Sequence, residues 1–485
     1  MARDPQAALV ALNRFGLGAR GGGAGDFANA ASDPRGFVKA ELGRRNAALL
    51  DVPGLQTTQA LAQIAFDYQA DVRQQRKLAA QALAMASDKP APKASTIMQP
   101  LANDAAVKPS VPHPPNVIQQ TYRAEALARV QRATMAESGI VERLVAFWSN
   151  HFCISANKGQ LDRIWAGSFE REAIRPHVLG RFSDMLLAVE QHPAMLFYLD
   201  NQQSIGPNSR AGRNRKRGLN ENLARELMEL HTLGVGNGYT QQDVATLAAI
   251  LTGWTFAGRA GRLGEPGTFI FNPNAHEPGP QKLLGKIYDD TGVTQGETAL
   301  TDIARRPATA KFIAHKFAAH FVADDPSPAL VAKLEAGFRN TNGDLKALAT
   351  TLVDSDEAWT APMTKIRTPN EFLVATGRVM GRIPDNPGRY LGALHLLGQP
   401  LWTPPGPNGF SDTTATWASP ENMKLRLDIA SQISSRIADM LNPVDVLEAC
   451  AGEAASDDTR KTVARAETRQ QALALLLMSP EFQRR

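Results

Sequence analysis

The chain has 485 residues, 43% hydrophobic and 21% charged, with a net charge of +5. That length and balance suit a soluble protein with a large core, as one large domain or two to three ordinary ones, and exclude the disordered and fibrous classes. Two distant cysteines, Cys153 and Cys450, exclude a disulfide framework and a cysteine-based zinc site. So small a charge excess leaves nucleic acid an unexpected partner.

The opening, MARDPQAALVALNRFGLGAR, has no apolar stretch behind a basic one. As written it reads as a cytoplasmic start, and a leader removed beforehand would place the protein outside the cell. No run approaches the roughly 20 apolar residues of a membrane span. Apolar spacing predicts helices over Pro5 to Phe15, about 34–48 and about 57–86. Residues 88–115 are Pro-rich and lose all periodicity. The expected organisation is an N-terminal helical segment (1–87), a Pro-rich linker or disordered excursion (88–115) and a main helical domain (116–485).

A helical stretch from Val117 to Phe152 should break at Ser138-Gly139. Helices follow at about 160–175 and 179–190, with a stop at His192-Pro193, because a residue before proline is pushed out of the α region. Arg210, Arg213, Arg215, Lys216 and Arg217 form a basic loop, read either as a solvated surface or as a collar for an anionic ligand. A helix hairpin comes next (220–232 and 240–252), turned by Gly234, Gly236 and Gly238 and capped by Thr240. Residues 258–290 read as an ordered loop with a small β-hairpin near Thr268–Phe271. Helices resume at about 296–305, 308–321, 328–338, 343–354 and 369–381. After an irregular Pro/Gly/Trp stretch (398–412) come helices at about 420–441, 444–449 and 468–477. The expected class is all-α: a large multi-helix domain with two long irregular loops and at most a small β-hairpin.

Three polar constellations stand out. At about 100° per residue, Asn222, Arg225, Glu226 and Glu229 share one arc of a helix, while His231 points away. A carboxylate pair at i, i+3 suits proton sharing or a divalent metal, and a solvated charged face is the competing reading. In Trp148-Ser149-Asn150-His151-Phe152, two aromatics bracket a polar group at a helix end. The His276-Glu277-Pro278-Gly279-Pro280-Gln281-Lys282 loop brings acid–base groups onto a stiffened segment. His315 and His320, five residues apart, are read as structural. Trp254 and Trp402 complete a set of apolar walls.

These runs also carry a family resemblance. LNRFGLGA, FWSNHF, REAIRPHVLGRFSDMLLAVEQHPAMLFYLDN, GLNENLARELMELHTLGV with GYTQQDV and LTGWTF, HEPGPQKLLG, PATAKFIAHKFAAHFVADDP and LGQPLWTPPGPNGF occur in that order. In them the chain resembles the bacterial domain of unknown function 1800 (DUF1800) family over nearly its whole length. The resemblance implies no activity, cofactor or residue role, and many such proteins look exported.

The function expected from the residues is a hydrolase-like enzyme on a polar, anionic or glycan-like substrate. Glu226, Glu229, His151, His276 and Glu277 would be catalytic; Trp148, Asn150, Asn222, Arg225, Trp254, Lys282 and Trp402 would bind substrate. No cofactor is specified beyond the divalent metal that the carboxylates could hold. The alternative is a non-catalytic binding or scaffold protein whose polar clusters are structural salt-bridge networks.

Overall fold

The computed structural model describes residues 3–87, 116–213 and 218–485. The linker expected at 88–115, and Arg215, Lys216 and Arg217 of the basic loop, lie outside the described residues. What is described is all-α, with two small antiparallel sheets. Trp254–Phe256 pairs with Phe269–Phe271, and Gln281–Leu283 with Lys286–Tyr288. Two hairpin-like pairs thus stand where one was expected. The residues outside them in 258–290 are held by turns and backbone bonds such as Gly267 N–H to the Ala257 carbonyl. No described helix is long and apolar enough to cross a membrane.

A repeated local device starts these helices. Asp33-Pro34, Ser327-Pro328, Thr368-Pro369, Asn386-Pro387, Ser419-Pro420 and Asn442-Pro443 each put a side-chain acceptor at the N-cap and proline in the first turn. The side chain satisfies a backbone N–H that the helix leaves unpaired, and proline loses no bond there. Thr240 caps Gln241–Ile250 through a reciprocal box with Asp243. His192 ends nothing itself: the preceding helix stops at Glu190, and His192 Nδ1 accepts from Ala194 N–H to open the next.

The expected break before Ile140 is present, between Val117–Met135 and Ile140–His151. Two other expected helices change pitch midway. Gln160–Phe169 passes into a π-helical turn at Glu170–Ile174, and Asn222–Glu226 into one at Leu227–His231. Such turns rotate every later side chain relative to an ideal helix. His231 nonetheless points away from the Asn222, Arg225, Glu226 and Glu229 face, as the uniform 100° step expects, and is buried like Ala224.

One large core joins residues from Ala8 to Ala358, so the Pro5–Val10 and Thr58–Ser87 helices pack into the same interior as Ile140–His151 and Pro307–Phe321. A second core lies among the C-terminal helices, where Pro420–Ile437 packs on Arg469–Met478. The last residues return to the middle of the molecule. Arg367 N–H donates to the Gln483 carbonyl and Arg485 N–H to the Lys365 carbonyl, both at 2.9 Å. That pairing carries the Arg485 side chain into the interior beside the start of Pro369–Val379.

Candidate functional site

Several segments meet around a cavity of about 370 Å³, with Arg129, Glu170 and Leu394 also in its lining. The last turn of Ile140–His151 brings Phe147, Ser149, Asn150 and His151, and the chain beyond it adds Cys153. Pro307–Phe321 brings His315, Lys316, Ala319 and His320, a broad face at i, i+1, i+4 and i+5. The first turn of Pro369–Val379 adds Asn370 and Glu371. The irregular 398–412 stretch closes the space with Trp402, Phe410, Ser411 and Asp412.

That closing segment is tied down by its own chemistry. Asn150 Nδ2 donates to the Phe410 carbonyl at 2.9 Å, and Asn150 Oδ1 accepts from Phe410 N–H at 2.8 Å. Gly409 has φ +78°, and a Cβ there would stand 2.5 Å from the Asn150 carbonyl oxygen, so no other residue permits this approach. Tyr122 Oη donates to the Leu401 carbonyl.

At the cavity wall, Lys316 Nζ lies 3.0 Å from His151 Nδ1. His151 Nε2 lies 3.1 Å from the His231 backbone carbonyl, which can only accept. The imidazole must therefore carry its proton on Nε2 and turn the Nδ1 lone pair toward the lysine. Among the described residues no carboxylate pairs with Lys316. Burial pushes its ammonium down to about 8, against the pull of Cys153 and Asp412. Burial, with the charges of Lys316 and His231, holds His151 well below the usual imidazole range, so it is neutral. Behind it the buried His231 side chain pairs with Glu190 at 2.7 Å. Cys153 is a thiol, pushed up to about 12 by burial, and points its S–H at the Pro407 and Gly406 carbonyls.

The opposite end of the cavity rests on an ionic network. Asp412 pairs with His320 Nδ1 at 2.8 Å and with Arg485 at 3.0 Å; Arg485 pairs with Glu371 at 2.9 Å, and Glu371 with Arg143 at 3.4 Å. Burial alone would raise Glu371, but the charges of Arg485 and Arg143 outweigh it and hold the carboxyl at about 2. His320 is lowered to about 4 by burial in spite of Asp412. On a third side, Glu170 accepts from Arg129 Nε at 2.7 Å, Arg175 Nε at 3.1 Å and Ser149 Oγ at 3.1 Å. Burial opposes its ionisation, and the two arginines overcome it, leaving the group at about 2.

The residues singled out from the sequence scatter around this cavity. His151, Asn150 and Trp402 line it. Asn150, expected to touch substrate, spends its amide on the closing segment. Trp148 and Trp254 are fully buried core residues and form no open wall. Glu226 is half-buried; burial raises its carboxyl, opposed by the charge of His231, and its own charge reaches Cys153. It is not among the residues that line the cavity. Arg225 pairs with Glu221 at 3.0 Å and Glu229 at 3.5 Å on the surface, and Asn222 is exposed.

His276 and Glu277 do not line the cavity. His276 Nδ1 donates to the Thr252 carbonyl at 2.9 Å, and Glu277 accepts from Asn208 N–H at 2.9 Å, clamping the start of the loop that bears Arg210 and Arg213. Lys282 is exposed on its short strand. Among the described residues no group of three or more His, Cys, Asp and Glu side chains is placed to hold a metal ion.

Glu371, in KIRTPNE, is a supporting position in the sequence, whereas Lys316, Cys153, His315, His320 and Asp412 are not legible there as site residues. His315 and His320, five residues apart, do not share an ideal helix face, yet both line the cavity. The usable signal is HKFAAH itself: three titratable side chains within six residues of an Ala/Phe-rich helix (Pro307–Phe321).

Fold and site together define a many-helix protein with a half-open cavity whose lining mixes apolar and titratable side chains. The family described as "Protein of unknown function (DUF1800)" matches residues 10–484, and the chain belongs to that family. No curated protein and no solved structure matches it.

Proposed function

We propose that the protein is an enzyme acting on a small polar substrate in this cavity, hydrolysis being the simplest reaction class, with Lys316 and His151 as its proton-transfer pair. The supporting observation is the 3.0 Å contact between a lysine with no carboxylate partner among the described residues and a neutral imidazole of fixed tautomer. A lysine lowered toward neutrality releases and recovers a proton near physiological pH, which an ordinary lysine does not. An anionic group on the substrate would meet the ammonium, which forms no ion pair among the described residues. A glycan substrate keeps only Trp402 of its three expected aromatic walls.

A second reading, a non-catalytic binding or scaffold protein, draws support from the Arg143–Glu371–Arg485–Asp412 network, which is spent on holding segments together. One experiment separates the two. Chromogenic esters, amides, phosphoesters and glycosides are offered to the wild-type protein and to Lys316→Met, with melting followed in parallel. Turnover that falls at least about 100-fold in a normally melting variant supports the enzyme, the size expected for an acid–base group. No turnover in either protein supports the scaffold.

A further inference from the structure

We propose that Lys316 is also a covalent group: its Nζ condenses with the carbonyl carbon of a small polar aldehyde or ketone bound in the cavity, forming an imine. This rests on the cavity being the reaction site. It goes further in naming a nucleophile and a substrate class.

Three features carry it. First, an amine attacks only as a free base, and the His151 Nδ1 lone pair, 3.0 Å away, is an acceptor for the proton it must lose. The His231 carbonyl at 3.1 Å prevents His151 from presenting N–H there instead. Second, among the described residues the amine has no carboxylate partner that would hold it as an ammonium; the nearby carboxylates Glu371 and Asp412 are already claimed by Arg143, Arg485 and His320. Third, the competing nucleophile is disabled, since the Cys153 thiol is turned to the Gly406 and Pro407 carbonyls. Burial also favours the neutral amine: with a value of about 8, on the order of 100-fold more of it is free at pH 7 than of an ordinary lysine.

The chemistry balances without an oxidant or reductant. The ammonium gives a proton to His151 Nδ1. The amine lone pair then forms the C–N bond while the C=O π pair moves onto oxygen. A second nitrogen proton shifts to that oxygen, giving a neutral carbinolamine. The imidazolium protonates the hydroxyl, which leaves as water as nitrogen forms the C=N bond, and His151 is neutral again. The sum is one ammonium and one carbonyl giving one protonated imine and one water.

The test is reductive trapping on the full chain. Pyruvate and glycolaldehyde are added separately at pH 7 with cyanoborohydride, and the adduct is located by peptide mass analysis. The expected result is labelling at Lys316 at least about 10-fold faster than at an exposed lysine such as Lys424, retained order of labelling at other lysines in Lys316→Arg, and slowed labelling of Lys316 in a folded His151→Asn protein. Labelling of Lys316 no faster than that of Lys424, with both probes, overturns the imine. If Lys316→Met nonetheless abolishes turnover, the acid–base reading stands and only the covalent step is lost.

Discussion

Lys316 is the residue at which stability and chemistry pull apart. Enclosing a cation without a counter-charge costs free energy, so replacing it with an apolar chain of similar length should relieve the molecule. Lys316→Met is expected to melt no lower than wild type at pH 7, with a gain of about 1 kcal/mol by chemical denaturation. The sign of its pH dependence follows from the lowered lysine. Between the folded value of about 8 and the ordinary 10.5, the unfolded chain holds more protons. Wild-type stability attributable to this group therefore rises with pH across that window. The gap between variant and wild type should narrow from pH 8 to 10.5, and a constant gap would show that Lys316 is not the titrating group. Glu229 offers a contrast. Its contact with Arg225 is a surface pair, and Glu229→Ala should shift unfolding by less than about 1 kcal/mol.

Among the elements, the first turn of Pro369–Val379 does two jobs. Glu371 closes the capping box by accepting from Thr368 N–H at 2.8 Å, and its charge balances Arg143 and Arg485. Glu371→Gln keeps an acceptor for the cap and removes the charge, leaving two guanidinium groups buried beside each other. A loss of about 3 kcal/mol in urea is expected, because an unpaired buried charge is the costly outcome of breaking such a network. A loss below about 1 kcal/mol, the surface-pair range, would mean that solvent reaches the network. The two π-helical turns show a different element-scale effect. The Glu170–Ile174 turn begins with Glu170, which pairs with Arg129 and Arg175, and the Leu227–His231 turn ends with His231, which pairs with Glu190. Both turns thus carry a buried side chain paired with another helix.

The molecule as a whole stores its acid sensitivity in these buried groups. Glu170 and Glu371 are each held at about 2, below the ordinary 4.5. Their stabilisation is complete above the ordinary value and is lost as pH falls from about 4.5 toward 2. His320, lowered to about 4 from 6.5, acts in the same direction over the interval just above: the unfolded chain takes up a proton that the folded one refuses. Melting temperature should therefore decline from about pH 6.5 downward and steepen below 4.5. A flat profile between pH 6 and 3 would show that these groups titrate normally in the folded protein.

Much of the architecture was legible one segment at a time. The Asp, Asn, Ser and Thr caps followed by proline mark helix starts because they act within one turn, and the break before Ile140 shows in Ser138-Gly139 alone. His151 and Trp402 were also legible, as polar and aromatic groups at the ends of apolar runs. The cavity was not. Its walls come from residues near 150, 316, 370 and 410, and no local pattern states that these four stretches meet. The uniform helical step places His231 away from the carboxylates, where it is buried, but its partner Glu190, 41 positions earlier, does not show in the local pattern. The role of Asn150 was hidden for the same reason, since its partner is a backbone amide 260 positions away. What the sequence by itself determined is the helical class, the caps and turns, and the residue types available for chemistry, because these depend on neighbours in the chain. Only the tertiary structure decided that Lys316 faces His151 without a counter-charge while Glu371 and Asp412 are already paired. Burial and long-range charge set that difference, and both are properties of the packed molecule.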